Sequence, residues 1–220
     1  MPKRFSGIYA ALLTPYEGDE VSLDRFRANI LKYDAFGLAG YVVLGSTGEC
    51  ASLTDDESAG LVEMARKAAA PGKAVIAGTA RESTRQTIEF TKRAASLGAD
   101  AALVRTPSYF KGKMTPDALK AHSIAVADAS PIPVIIYNVP KNTGISLEAP
   151  VILELSAHPN IAGLKESGGN IVLAGELMPR LPADFCYLSG HGSVFLSALL
   201  LGASGAILAV ANAAPALCIE

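Results

Sequence analysis

Eight short β-rich apolar runs, helical segments between them, and runs that are apolar throughout rather than in alternation together predict a (β/α)8 barrel. A continuously apolar run suits a strand covered on both faces, and the intervening helices supply the crossovers that parallel strands need. A doubly wound open sheet is the alternative arrangement of the same units.

The first run, residues 7–15 (GIYAALLTP), is followed by helical periodicity over 23–36. The second, 40–46 (GYVVLGS), precedes a helix over 55–70, whose start is marked by Thr54 and, three positions on, Glu57, the spacing of a capping box. Run three, 74–80 (AVIAGTA), leads to a helix over 84–97. Run four, 101–107 (AALVRTP), leads to one over 116–129, opened by Thr115 and Pro116. Runs 134–140 (VIIYNVP), 161–167 (IAGLKES) and 186–190 (CYLSG) alternate with helices over 148–157, 171–181 and 193–201. The eighth run, 206–212 (AILAVAN), completes the set, and no linker divides the chain, so 1–220 reads as one barrel domain. The sequence ends at AVANAAPALCIE with little of a covering helix. The expectation is a barrel truncated after strand eight, its C-terminal helices missing and some apolar wall uncovered.

Composition narrows the function classes. With 19 basic and 21 acidic residues, a net charge of −2 and no long run of one sign, nothing favours a nucleic acid or an anionic membrane as partner. Cys50, Cys186 and Cys218 are odd in number and far apart, which suits a reducing, cytoplasmic setting rather than a disulfide framework or a zinc site. The N-terminal MPKRFSGIYAALLTPYEGDE has two early basic residues, but its apolar stretch is too short for a targeting peptide and lacks a small-residue cleavage site. No run approaches the ~18 apolar residues of a membrane helix.

A barrel keeps its chemistry at the C-terminal ends of its strands, which singles out polar residues where each apolar run stops. Lys165 ends the sixth run, in IAGLKESGG. On an interior position it would lose hydration, its pKa would fall, and a free amine able to attack a carbonyl would result. At the rim it would instead reach water or pair with Glu166. The loop GSTGEC (45–50) offers open backbone N–H groups and the hydroxyls of Ser46 and Thr47, enough to hold a carboxylate without a basic side chain, or else to make an ordinary turn. Tyr137 closes the fifth run as an acid/base candidate or as a core tyrosine. His122, His158 and His191 lack metal-ligand spacing, so no metal site is expected.

GSTGE (45–49), TPSYF (106–110), YNVPKNTG (137–144) and GLKESGG (163–169), in that order and at those strand ends, resemble the dihydrodipicolinate synthase/N-acetylneuraminate lyase family of class I pyruvate-dependent aldolases. The resemblance spans essentially the whole chain. It implies a TIM barrel, a Schiff base with pyruvate or a related 2-oxo acid, and no metal or organic cofactor. It makes Lys165 the Schiff-base lysine and Tyr137 the proton shuttle. Ser46 and Thr47 become the carboxylate-binding pair, with Thr47 linking hydroxyls in a relay. Tyr109 becomes the tyrosine that reaches a neighbouring subunit, so that a homodimer or homotetramer is expected. Gly190 and Ile207 fall at positions lining the pyruvate end of the pocket.

Where Asn142 stands in PKNTG, synthases of this family usually carry an arginine that gathers the carboxylate end of the aldehyde, which places Asn142 among the substrate-binding positions the resemblance implies. Several other stretches, HPNIAGLKESGG (158–169) among them, look more like 4-hydroxy-2-oxoglutarate aldolases. The expected reaction is therefore retro-aldol cleavage of a 4-hydroxy-2-oxo acid to pyruvate and an aldehyde. The alternative is a 4-hydroxy-tetrahydrodipicolinate synthase in which Lys111, Lys113 or Lys141 replaces the arginine. An inactive barrel that only binds a 2-oxo acid, and a phosphate-binding isomerase on the same fold, are lesser readings.

Overall fold

The computed structural model describes residues 4–220; Lys3, one of the two basic residues weighed as part of a targeting segment, lies outside them. Each apolar run gives a strand shorter than itself, the last beginning one residue ahead of its run: β1 (Gly7–Ala11), β2 (Gly40–Val43), β3 (Ala74–Gly78), β4 (Ala101–Arg105), β5 (Val134–Asn138), β6 (Ile161–Glu166), β7 (Cys186–Ser189) and β8 (Gly205–Leu208). Consecutive strands pair in parallel, and β8 returns to β1 with Ala10 opposite Leu208, closing the barrel and excluding the open sheet.

Seven longer helices cover the wall: α1 (Leu23–Tyr33), α2 (Asp55–Ala68), α3 (Thr84–Ser96), α4 (Pro116–Ala129), α5 (Ala149–Ser156), α6 (Ile171–Leu177) and α7 (Phe195–Leu200). Thr54 and Glu57 form the anticipated capping box, and Thr115 caps α4 with Pro116 inside its first turn. Three helices are shorter than the periodicity predicts by three residues or more. α1 stops at Tyr33 because the Asp34 carboxylate is taken by the Tyr41 hydroxyl (2.6 Å) and the Ala70 N–H (3.0 Å). Residues after α6 turn toward Pro182, and α7 is preceded by a 3₁₀ turn, Gly192–Val194. A small hairpin, Tyr16–Glu17 with Glu20–Val21, and a short helix, Pro140–Thr143, were not legible as separate elements.

Alternation divides the apolar residues into two environments although the runs themselves do not alternate. Tyr9, Val42, Ile76, Leu103, Ile135, Leu188 and Ile207 fill the barrel interior. Their neighbours, such as Ala10, Val43, Ala102, Ile136 and Leu164, face the helices. After β8 come two short 3₁₀ turns, Val210–Asn212 and Ala216–Cys218, and Leu196, Leu200 and Leu217 are more than two-thirds exposed. No helix among the described residues is long and apolar enough to cross a membrane.

Candidate active site

Register builds the centre of the site. Arg105 on β4 is opposite Tyr137 on β5, which is opposite Lys165 on β6, which is opposite Leu188 on β7. These residues form one row near the C-terminal ends of adjacent strands. Inward-facing Leu103 and Ile135 lie two positions before Arg105 and Tyr137, so the pleat turns the row into the barrel mouth.

Lys165 is 4 % exposed, and its Nζ lies 4.2 Å from the centre of the Tyr137 ring. Burial lowers its pKa by penalising the ammonium form, against smaller opposing pulls from Tyr137 and Cys50. The pairing with Glu166 left open by the sequence does not form. Adjacent strand residues face opposite sides, and the Glu166 carboxylate accepts from Gly168 N–H (2.7 Å), Gly169 N–H (3.0 Å) and Asn138 Nδ2 (3.2 Å). A lysine so placed keeps its amine free for a carbonyl.

The GSTGEC loop delivers a hydroxyl to this amine's neighbour. Leu44 (φ 60°) and Glu49 (φ 54°) both take left-handed backbone, costly for side-chain-bearing residues, and they bracket the turn that holds Ser46. Thr14 Oγ1 donates to Gly48 O at 2.6 Å and ties the turn to the end of β1. Ser46 Oγ then stands 3.5 Å from the Tyr137 hydroxyl. Thr47 is half-buried on the same turn, and its hydroxyl makes no hydrogen bond among the described residues. The hydroxyl nearest Tyr137 is thus Ser46's, one position before the one expected to relay.

Two adjoining cavities open beside Arg105 of this row, the inner one also beside Tyr137. The inner one is lined by Ser46, Cys50, Gly78, Leu103, Arg105 and Tyr137. The outer, of about 320 Å³, shares Ser46, Cys50 and Arg105 with it and adds Glu82, Ser108 and Asn142. Ile207 lies in the same interior cluster as Tyr137 and Leu188. Gly190 donates its N–H to Glu166 O (2.6 Å), and a Cβ there would meet Ser167 Oγ at 1.9 Å. Tyr109 is not brought to Tyr137 within one chain: its ring is 79 % exposed and packs edge-on to Phe110 at 4.9 Å. Lys111, Lys113 and Lys141 are exposed and line neither cavity.

Sequence reasoning missed Arg105, Glu82 and Cys50. Arg105 had a signal, the inward parity of Ala101, Leu103 and Arg105 at a strand end. Glu82 and Cys50 had none beyond their loops, because only the fold brings them to the same wall. His122 is buried, with Nδ1 2.9 Å from Thr84 Oγ1; burial, helped by the Arg105 charge, lowers its pKa to about 4, so it is a neutral core histidine.

The chain as a whole matches a known group of proteins. The model of the "Dihydrodipicolinate synthetase family" matches residues 4–219. The chain belongs to that family. Its members are carbon–carbon lyases of the class I aldolase type. A 4-hydroxy-tetrahydrodipicolinate synthase of Exiguobacterium sp. is 40 % identical over 96 % of this chain and 72 % of its own length. One of Xanthomonas axonopodis pv. citri is 42 % identical over 96 % of this chain and 70 % of its own. The crystal structure of dihydrodipicolinate synthase from Aquifex aeolicus superposes with a TM-score of 0.93 at 36 % identity, covering 98 % of this chain and 73 % of that one. These relatives favour the synthase alternative over the retro-aldol expectation.

Proposed function

We propose that this chain condenses pyruvate with an aldehyde through a Schiff base on Lys165, as a 4-hydroxy-tetrahydrodipicolinate synthase does, with aspartate semialdehyde as the aldehyde. One observation carries the chemistry: a lysine amine buried to 4 % exposure against the Tyr137 ring, its ammonium form disfavoured by desolvation. The amine attacks the 2-oxo carbon, the carbinolamine loses water, and the iminium nitrogen draws electrons from C3 to give an enamine. That carbon attacks the aldehyde, and hydrolysis returns the amine. Tyr137 moves the protons these steps need, with Ser46 as its relay partner at 3.5 Å. Ser46 and Thr47 hold the pyruvate carboxylate, while Gly190 and Ile207 shape that end. The iminium is the electron sink, so the scheme uses no cofactor.

The exposed Tyr109–Phe110 pair supports a homodimer or homotetramer in which Tyr109 enters the neighbour's site. Retro-aldol cleavage of 4-hydroxy-2-oxoglutarate is the second reading, and it rests on Asn142, a neutral residue in the wall of the outer cavity where synthases usually carry an arginine. An inactive binding barrel is disfavoured by the intact Lys165–Tyr137 pair.

Treatment with pyruvate and borohydride, followed by weighing of the protein, tests the nucleophile. The wild type gains the reduced pyruvyl mass and Lys165→Ala does not; an adduct on Lys165→Ala would remove Lys165 from the role. Condensation with aspartate semialdehyde, set beside pyruvate release from 4-hydroxy-2-oxoglutarate, separates the two reactions.

A further inference from the structure

Lys111, Lys113 and Lys141, which the synthase reading offers in place of the family's arginine, line neither cavity of this site. Among the described residues lining the inner and outer cavities, Arg105 is the only cation, and it borders both. Its place in the row puts it beside Tyr137 and two strands from Lys165. With neighbouring strands about 4.8 Å apart, that separation suits a four- or five-carbon substrate spanning from a Schiff base to a guanidinium.

The guanidinium is positioned rather than used up. Nη1 donates to Glu82 Oε1 (2.9 Å) and to Thr106 O (3.0 Å). Glu82 is itself fastened by Ser108 N–H and Tyr109 N–H, both at 2.8 Å, and by the Ser108 hydroxyl at 3.2 Å. Nε and Nη2 have no partner among the described residues. Two donors on one edge of a planar fork match a carboxylate.

We infer that Arg105 binds the distal carboxylate of the second substrate, so that this site selects acceptors or 2-oxo acids carrying a carboxylate at the far end, in the place left neutral by Asn142. Glu82 is its positioning residue. The inference rests on the Schiff-base reading above and deepens it without depending on the direction of the reaction.

Borohydride trapping of two 2-oxo acids of equal length tests it, since turnover is not required. 2-Oxoglutarate has the distal carboxylate, and 2-oxopentanoate ends in a methyl group. The wild type is expected to be half-trapped at roughly 10-fold lower 2-oxoglutarate than 2-oxopentanoate, the size of a charged bidentate contact at a partly exposed site. In Arg105→Met, which keeps the length of the stem, the ratio should fall to near one. In Arg105→Lys, which keeps the charge and the Glu82 pairing but not the fork, it should fall to an intermediate value. A wild type without the preference, or an Arg105→Met protein that retains it, overturns the inference. If Arg105→Met does not fold, Arg105→Lys decides: an unchanged wild-type ratio overturns the claim for the fork. A wild type that fails to trap even pyruvate defeats the Schiff-base reading instead.

Discussion

Lys165 and Tyr137 show how one residue's chemistry depends on its neighbours. A solvated lysine at neutral pH is almost wholly ammonium. Burial shifts Lys165 below its ordinary 10.5. Between that lowered value and 10.5 the unfolded chain holds more protons than the folded one, so this site's contribution to stability rises with pH through the window, and its penalty is full below the folded pKa. Lys165→Met removes the penalty. Denaturant melts should therefore find Lys165→Met more stable than wild type at pH 7 and the gap smaller at pH 10; a gap that widens with pH contradicts the assignment. Tyr137→Phe keeps the ring beneath the amine and removes only the hydroxyl 3.5 Å from Ser46. Steady-state assays should give a fall of roughly 100-fold in kcat with pyruvate trapping retained, the mark of lost proton transfer rather than lost binding.

At the scale of elements, the site hangs on the ends of strands and the starts of helices. The loop from Leu44 to Thr54 carries Ser46 and Cys50 between β2 and α2, and its far end is held by the Thr54 capping box, whose hydroxyl accepts from Glu57 N–H at 3.2 Å. Thr54→Ala removes that acceptor from the first turn of α2. A drop of roughly 2–4 °C in Tm is expected, the usual cost of a lost cap in a domain of this size. Pyruvate trapping on the same variant reads whether the strain at Leu44 and Glu49 is held locally, by Thr14 and Gly48, or needs the helix: local anchoring predicts unchanged trapping. The boundaries of these elements were legible to within a few residues because caps, prolines and apolar periodicity are local properties. The Pro140–Thr143 helix was not, since four residues carry too little periodicity to mark it.

The whole molecule depends on closure, and closure on a seam with no room for a side chain. At Gly205 (φ +155°) a Cβ would meet Gly7 O at 1.9 Å, and the register Gly7 opposite Gly205 begins the β1–β8 ladder. Gly205→Ala must push these two backbones apart. A loss of about 1–3 kcal/mol is expected from overpacking, measured by thermal unfolding with Gly112→Ala, which has open space around its Cβ, as the control. Equal melting of the two variants would mean that the seam tolerates widening.

The sequence by itself determined the eight strand units and the parallel barrel they make, because burial on both faces is written in local pattern. It also carried the family resemblance through motifs at four strand ends. Only the tertiary structure decided which hydroxyl meets Tyr137, that Glu166 turns away from Lys165, and that Arg105 rather than any of the loop lysines lines both cavities. Those outcomes depend on the register between strands and on the left-handed turn at Leu44, where a shift of one residue exchanges the faces of the sheet.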